Sequence, residues 1–461
     1  MPINYYHLVF ILTGLFALLT VLLLPIGRSR AWLWAVAALP WASEVLQLRD
    51  TTLTLPTDIF AGFWGILTLG GIAFYAREVR ELWQHTPLFR WIGLYFLWMG
   101  VTASFSNDVE VSLKFWISQS AYWLAYGVGA IFWLKKKNSP YRLYQDWLLP
   151  SAGAVMAICV LEHLLLGGTR ETLDNAIRPF MREHTVYGAY TAWFFTASVI
   201  LASLRPSIYG LAMIFISGAA LLLSYSRGGW LSALGALGLF GALEGFRRLP
   251  PIGRLIASGV GGGGLLITLL IFFQYNPEIL QAQAYHSGGE IGKHFASSFD
   301  VKQNESNLER INRWFAALQM IEEQPWVGFG PNTFSQEYSA YQRSLTRTKI
   351  SVELGEVGGA HSEYLTAASE MGILGFILLM GIYLSTALGG IRRFWTAPSR
   401  EERGLYALLV FPLLSYYLHG FINNFMDHGH MAALVYLHWG LFIHLSRETV
   451  PSHYDQVYRV A

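Results

Sequence analysis

The segment Ser224-Tyr225-Ser226-Arg227-Gly228-Gly229-Trp230-Leu231 sets a full positive charge between two long apolar runs. An arginine at such a depth is costly and usually faces a cavity, a partner or a ligand. Its guanidinium is a fixed fork of donors suited to phosphate oxygens. The two glycines after it let another backbone, or a ligand, come close. The competing reading is a helix-end arginine that snorkels to the membrane interface. On either reading the flanking runs are membrane-spanning helices, and the remainder of the chain follows the same pattern.

Of 461 residues, 53% are hydrophobic and only 13% charged, whereas soluble domains carry about a quarter charged residues. Mean hydropathy is +0.37. Aromatics reach 15%, with 17 Trp, as expected where many helix ends sit in an aromatic belt. The net charge of +2 gives no electrostatic case for nucleic acid. Cys159 is the single cysteine, so an intrachain disulfide and a cysteine-based zinc cage are excluded. The N-terminal apolar run lacks a basic n-region and a small-residue cleavage site, and reads as a retained span.

At roughly 20 residues per span, hydropathy gives an all-α polytopic integral membrane protein with about 12–13 transmembrane helices. Candidates lie near 5–26, 31–48, 55–76, 88–105, 113–134, 146–167, 184–204, 207–224, 228–246, 253–274, 371–391, 404–423 and 430–446. The second, with Pro40 and Glu44, has the weakest signal. Basic residues gather at alternate junctions: Arg28 and Arg30; Arg77, Arg80 and Arg90; Lys135 to Lys137 and Arg142; Arg247, Arg248 and Arg254; Arg392, Arg393, Arg400 and Arg403. By the positive-inside rule these junctions are cytoplasmic, with the N-terminus outside and the C-terminus inside. The turn before Arg227 then ends a span at the outer face. Residues 275–358, a long hydrophilic stretch of the kind that usually carries function, lie outside as well.

That loop predicts a helix. Ser306 and Glu309 have capping-box spacing, and Leu308, Ile311, Phe315, Leu318 and Ile321 recur on one face. Pro325 and the Gly328-Phe329-Gly330-Pro331 turn end it. Gly358-Gly359-Ala360-His361 then opens a second short helix to Glu370, with Gly372 before the next span.

Three groups from separate parts of the chain thus meet at the outer face: Arg227, Arg310 in the loop helix, and His361. A helix N-terminus disfavours the protonated imidazole, keeping His361 neutral and able to accept a proton. Two arginines and a neutral histidine suit displacement at a carbon bearing a phosphate leaving group. Taken singly, Arg310 reads sooner as a surface partner of Glu309 or Glu322, and His361 sooner as a structural polar residue than a base. Arg182, His184 and Arg313 are second-tier candidates for substrate contact. Asp427-His428-Gly429-His430 has a metal-like composition, but its groups are too close in sequence to require one shared ion, and no metal is assigned. Trp314, Trp326, Phe329 and Phe334 suit either sugar stacking or packing, with packing favoured.

Ser226-Arg227-Gly228-Gly229-Trp230-Leu231 resembles a signature of the O-antigen ligase and O-antigen polymerase superfamily. So do Arg310-Ile311-Asn312-Arg313-Trp314 with Pro325-Trp326-Val327-Gly328-Phe329-Gly330-Pro331, and Ala360-His361-Ser362-Glu363-Tyr364-Leu365 continuing to Gly375. The three blocks stand in the family's order over about residues 207–390; Ser362 replaces a frequent asparagine. The resemblance implies a glycosyltransferase of the bacterial inner membrane. It would act at the periplasmic face, without metal or other cofactor, on undecaprenyl-diphosphate-linked glycans. It further implies diphosphate binding by Arg227 and Arg310, and His361 as the base.

The chain is accordingly divided into N-terminal transmembrane helices (1–206), a ligase/polymerase-like core (207–390) with its periplasmic loop (275–358), and C-terminal transmembrane helices with a cytoplasmic tail (391–461). The expected reaction moves a lipid-linked glycan to an acceptor hydroxyl with inversion. The acceptor is lipid A-core for a ligase, the reading adopted, or a second lipid-linked glycan for a polymerase. Protein glycan transferases share the blocks. A transporter or flippase also fits the composition, but calls for charged or broken helices near mid-membrane, and these spans are largely free of charge.

Overall fold

The computed structural model describes residues 5–25, 27–48, 51–72, 74–134, 139–178, 180–250, 252, 305–342 and 358–448. The predicted span at 253–274 and most of the 275–358 loop lie outside these residues.

The described chain is helical apart from one hairpin. The N-terminal part runs α1 (Tyr5–Leu23), α2 (Arg28–Ala37), β1 (Ser43–Leu48), β2 (Thr51–Leu55), α3 (Thr57–Ile72), α4 (Ala76–His85), α5 (Pro87–Ser104) and α6 (Val109–Tyr122). A π-helical turn, Trp123–Val128, continues α6 into α7 (Gly129–Trp133), and another, Leu143–Leu148, joins α8 (Ser139–Arg142) to α9 (Leu149–Leu165). Next come α10 (Arg170–Ala176), α11 (His184–Leu204), α12 (Ile208–Leu223) and α13 (Arg227–Arg248). The loop contributes α14 (Glu305–Glu323) and α15 (Phe334–Glu337). The chain then forms α16 (Glu363–Thr396), α17 (Arg400–His419) and α18 (Gly429–Glu448).

Four segments among the described residues are helices long and apolar enough to cross a membrane: Pro140–Leu165, His184–Leu204, Arg227–Arg248 and Glu363–Thr396. Ile11–Leu23 and Ile208–Leu223 are shorter apolar helices. The second predicted span, 31–48, is not one. Its helix stops at Ala37, a 3-10 turn runs Leu39–Trp41, and β1 pairs antiparallel with β2 in the register Leu46 to Leu53 and Leu48 to Thr51. Pro40 cannot donate the hydrogen bond that continues a helix, and the Thr-rich run that follows favours extended backbone.

α11 is the most enclosed span and packs on α12, α13 and α17. α16 packs on α5, α17 and α14. Small residues set the closest approaches, as in membrane bundles generally. A Cβ on Gly440 of α18 would lie 2.1 Å from the Gly127 carbonyl oxygen in the π turn. Outward faces carry exposed apolar residues such as Leu211, Phe215 and Leu234.

Basic residues from separate junctions collect at one end of this bundle. Arg205 pairs with Glu401 at 3.2 Å, Arg400 donates to the Ser203 carbonyl, and Arg403 pairs with Glu244. The Arg227 turn and the start of α16 lie at the other end.

Candidate active site

The turn between α12 and α13 is built by its serines. Ser224 Oγ donates to the Leu221 carbonyl (2.6 Å) and accepts from Ser226 N. Ser226 Oγ accepts from Gly229 N at 3.2 Å and caps α13, satisfying one of the helix's orphan N–H groups. Arg227 therefore begins α13, where the sequence reading had it closing the preceding span. Tyr225 sits at φ 49, a left-handed conformation that non-glycine residues seldom adopt, and its hydroxyl donates to the Gly168 carbonyl at 2.9 Å. Gly228 and Gly229 admit neighbouring elements. A Cβ on Gly229 would lie 2.7 Å from the Gly188 carbonyl of α11, and one on Gly228 would lie 2.4 Å from His419 Nε2 of α17.

α14 brings Arg310 and Arg313 to this end. It starts at Glu305, so Ser306 falls inside the first turn, and Glu309 does not close a capping box. Its carboxylate turns inward, accepting from Arg313 Nε (3.0 Å) and the Tyr338 hydroxyl (3.1 Å). Glu309 thus pairs with Arg313. The partly buried Arg310 has its pKa pushed down to about 10, first by burial and then by the charge of Arg227. These two cations feel one another, which creates a field suited to an anion.

Arg313 is only 5% exposed. Its Nη1 donates to the carbonyls of Gly358 (2.8 Å) and Gly359 (3.0 Å), and its guanidinium lies 4.7 Å from the Tyr338 ring centre. It is held inward on the protein's own groups.

His361 stands two residues ahead of α16, whose N-cap is Ser362. Its backbone is left-handed, φ 51. The loop around it is pinned: Ala360 N donates to Thr366 Oγ1, Trp314 Nε1 to the His361 carbonyl (3.3 Å), and Glu363 N to the Gly420 carbonyl. Burial, then Arg313, then Arg310 push the imidazole pKa down to about 3. It is neutral at ordinary pH, as the sequence reading expected. The cause is burial among cations, since the residue precedes the helix whose dipole had been invoked.

The second short helix and the eleventh span meet at Gly372, where the sequence reading divided them. α16 runs through a break at Gly372 (φ 67), where a Cβ would lie 2.1 Å from the Trp326 carbonyl oxygen. The Pro325–Pro331 block wraps this break. Phe329 N donates to Ser369 O, Gly330 N to Glu370 O, and Ile373 N to Pro325 O. The Glu370 carboxylate accepts from Asn332 N and Phe334 N.

His184 opens α11 and contacts Arg170 (2.6 Å), which also pairs with Asp174. Arg182 is exposed. His430 is buried, and Asp427 lies 3.8 Å from His428. Among the described residues no group of three or more His, Cys, Asp or Glu side chains is arranged to hold a metal. Phe329 and Phe334 are core residues of the loop, whereas Trp326 is exposed. Sequence reasoning passed over His419, beside Gly228, and Glu363, whose Oε1 accepts from Tyr416 Oη, Phe425 N and Met426 N. Nothing in the local sequence separates either from an ordinary helix-end polar residue.

A family model described as O-Antigen ligase matches residues 212–380, a stretch that contains Arg227, Arg310 and His361. No curated protein matches the chain.

Proposed function

With residues 212–380 belonging to the O-antigen ligase/polymerase superfamily, we propose that this membrane protein transfers a glycan from undecaprenyl diphosphate to an acceptor hydroxyl at the periplasmic face of the inner membrane. The observation that carries this reading is the meeting of Arg227, Arg310 and a neutral His361 at one end of the bundle. Arg227 and Arg310 hold the diphosphate and neutralise the charge that grows on it as it leaves. The acceptor oxygen attacks the anomeric carbon, the carbon–oxygen bond to the diphosphate breaks with its electron pair, and His361 takes the hydroxyl proton. A single displacement inverts the anomeric centre. No step in this scheme requires a metal.

A pKa near 3 suits a base poorly, since the best catalytic pKa lies near the working pH. The anionic donor resolves this. Its diphosphate would offset the arginines and raise the imidazole pKa, so the base gains strength when the donor is in place.

The acceptor is lipid A-core in the ligase reading and a second lipid-linked glycan in the polymerase reading, which shares the same chemistry. The test is purified protein with lipid-linked glycan, EDTA and each acceptor in turn. Release of undecaprenyl diphosphate together with glycosylated lipid A-core is expected. Product only with the second lipid-linked glycan makes the protein a polymerase. Absence of diphosphate release with every acceptor favours a transporter, and dependence on a divalent ion defeats the metal-free scheme.

A further inference from the structure

Arg313 is the cation that the proposed chemistry leaves unused. It is buried, and its guanidinium bonds to the protein's own groups. One edge of the guanidinium meets Glu309, and Nη1 meets two consecutive backbone carbonyls, those of Gly358 and Gly359. Tyr338 covers its face and donates to the same Glu309 oxygen. For both carbonyls to reach one nitrogen, the backbone must curl around it, and Gly358 does so at φ 110. The chain then turns left-handed at His361, whose carbonyl accepts from Trp314 of the same helix.

We infer that Arg313 is a positioning residue: its guanidinium clamps the Gly358–Gly359 backbone to α14 and thereby sets the place and the electrostatic field of the His361 imidazole. The inference rests on the reading of His361 as base. Among the described residues, the charged groups that act on that imidazole are Arg313 and Arg310 from α14, with Arg313 contributing more to holding it neutral. Glu309 is occupied by Arg313 and Tyr338. Glu363, on the following helix, turns one carboxylate oxygen to Tyr416 and to the backbone of Phe425 and Met426. Lysine would keep the charge at position 313, but its single ammonium cannot reproduce the planar fork that joins Glu309 to two carbonyls.

The charge and the geometry are therefore separable. Arg313→Lys should lower transfer about 10- to 100-fold, since a misplacement of about 1 Å in a reacting group costs on the order of 100-fold. Its donor affinity and acid limb should stay native, because Arg227 and Arg310 remain and so does the charge. Arg313→Gln should lose rate similarly and also shift the acid limb of kcat to higher pH, because an imidazole relieved of one cation protonates more readily as pH falls. Native turnover in Arg313→Lys overturns the inference, as does a slow Arg313→Gln whose acid limb has not moved. Should Arg313→Gln fail to accumulate in the membrane, the Arg313→Lys measurement decides alone. Native transfer by His361→Ala would instead remove the proposed base, so the two ideas fail by different measurements.

Discussion

At the scale of single residues, the site asks two arginines to act as forks and one histidine to act as a base. Lysine at 227 or 310 would preserve charge and lose bidentate binding of a diphosphate. Arg227→Lys and Arg310→Lys should each lose about 2–4 kcal/mol of transition-state stabilisation, as for other preorganised anion contacts. Turnover near the native rate at equal membrane levels would reduce both to generic charge. His361→Ala should bind donor normally and transfer about 100- to 10,000-fold more slowly. The pH profiles carry a sharper expectation. The base must be neutral, so activity falls as pH drops through its pKa. With that pKa near 3 before donor binds, kcat/KM should show no histidine limb above about pH 5, whereas kcat, which reports the donor complex, should show one at higher pH. A cationic histidine that binds diphosphate would give the opposite, with activity falling as pH rises and donor affinity lost in His361→Ala. Sequence alone could nominate Arg227 as a charge between apolar runs, and Arg310 and His361 from the loop helix and the helix start that follows it. It ranked Arg313 below Arg310 as a second-tier substrate contact, and only the fold turns Arg313 inward onto Gly358 and Gly359.

At the scale of elements, the Arg227 turn depends on how closely α11 and α17 approach α13. A Cβ at Gly229 would sit 2.7 Å from a backbone oxygen of α11, which cannot swing aside, whereas one at Gly238 meets nothing within 4 Å. Gly229→Ala should therefore destabilise by about 1–3 kcal/mol through overpacking, while Gly238→Ala should be neutral or slightly stabilising. Thermal denaturation of the two variants in one detergent checks this, and equal midpoints would show that the close approach imposes no constraint. The break in α16 belongs to the same scale. The sequence placed a short helix before Gly372 and a span after it, and the backbone breaks at that glycine. The Pro325–Pro331 block holds the two pieces together by pairing with the backbone groups the break frees, at Ser369, Glu370 and Ile373. The error at 31–48 comes from averaging. The average hydropathy there was high enough, and a single missing N–H at Pro40 ended the helix.

At the scale of the whole molecule, the alternation of basic junctions has a spatial counterpart. Arg205 from one connection and Arg400 and Arg403 from another share one end, and the candidate site occupies the other. We therefore expect α14 on the outer side of the membrane. Gln319→Cys places a thiol on an exposed position of that helix, in a Cys159→Ala background that removes the buried native one. It should react with an impermeant maleimide in intact spheroplasts. Reaction only after lysis would reverse the orientation and move the proposed chemistry to the cytoplasm. The sequence by itself determined the membrane class, the course of α11 at His184–Leu204, and the identity of the three residues proposed for chemistry. Apolar length and the cost of a buried charge are local properties, readable without knowing what packs on what. Only the tertiary structure decided that Arg227 opens a helix, that Arg313 is spent on backbone carbonyls, and that His361 is neutral through burial beside arginines. Each of these is set by contacts between elements far apart in the chain, and the field at a titratable group is the sum over neighbours that only the fold supplies.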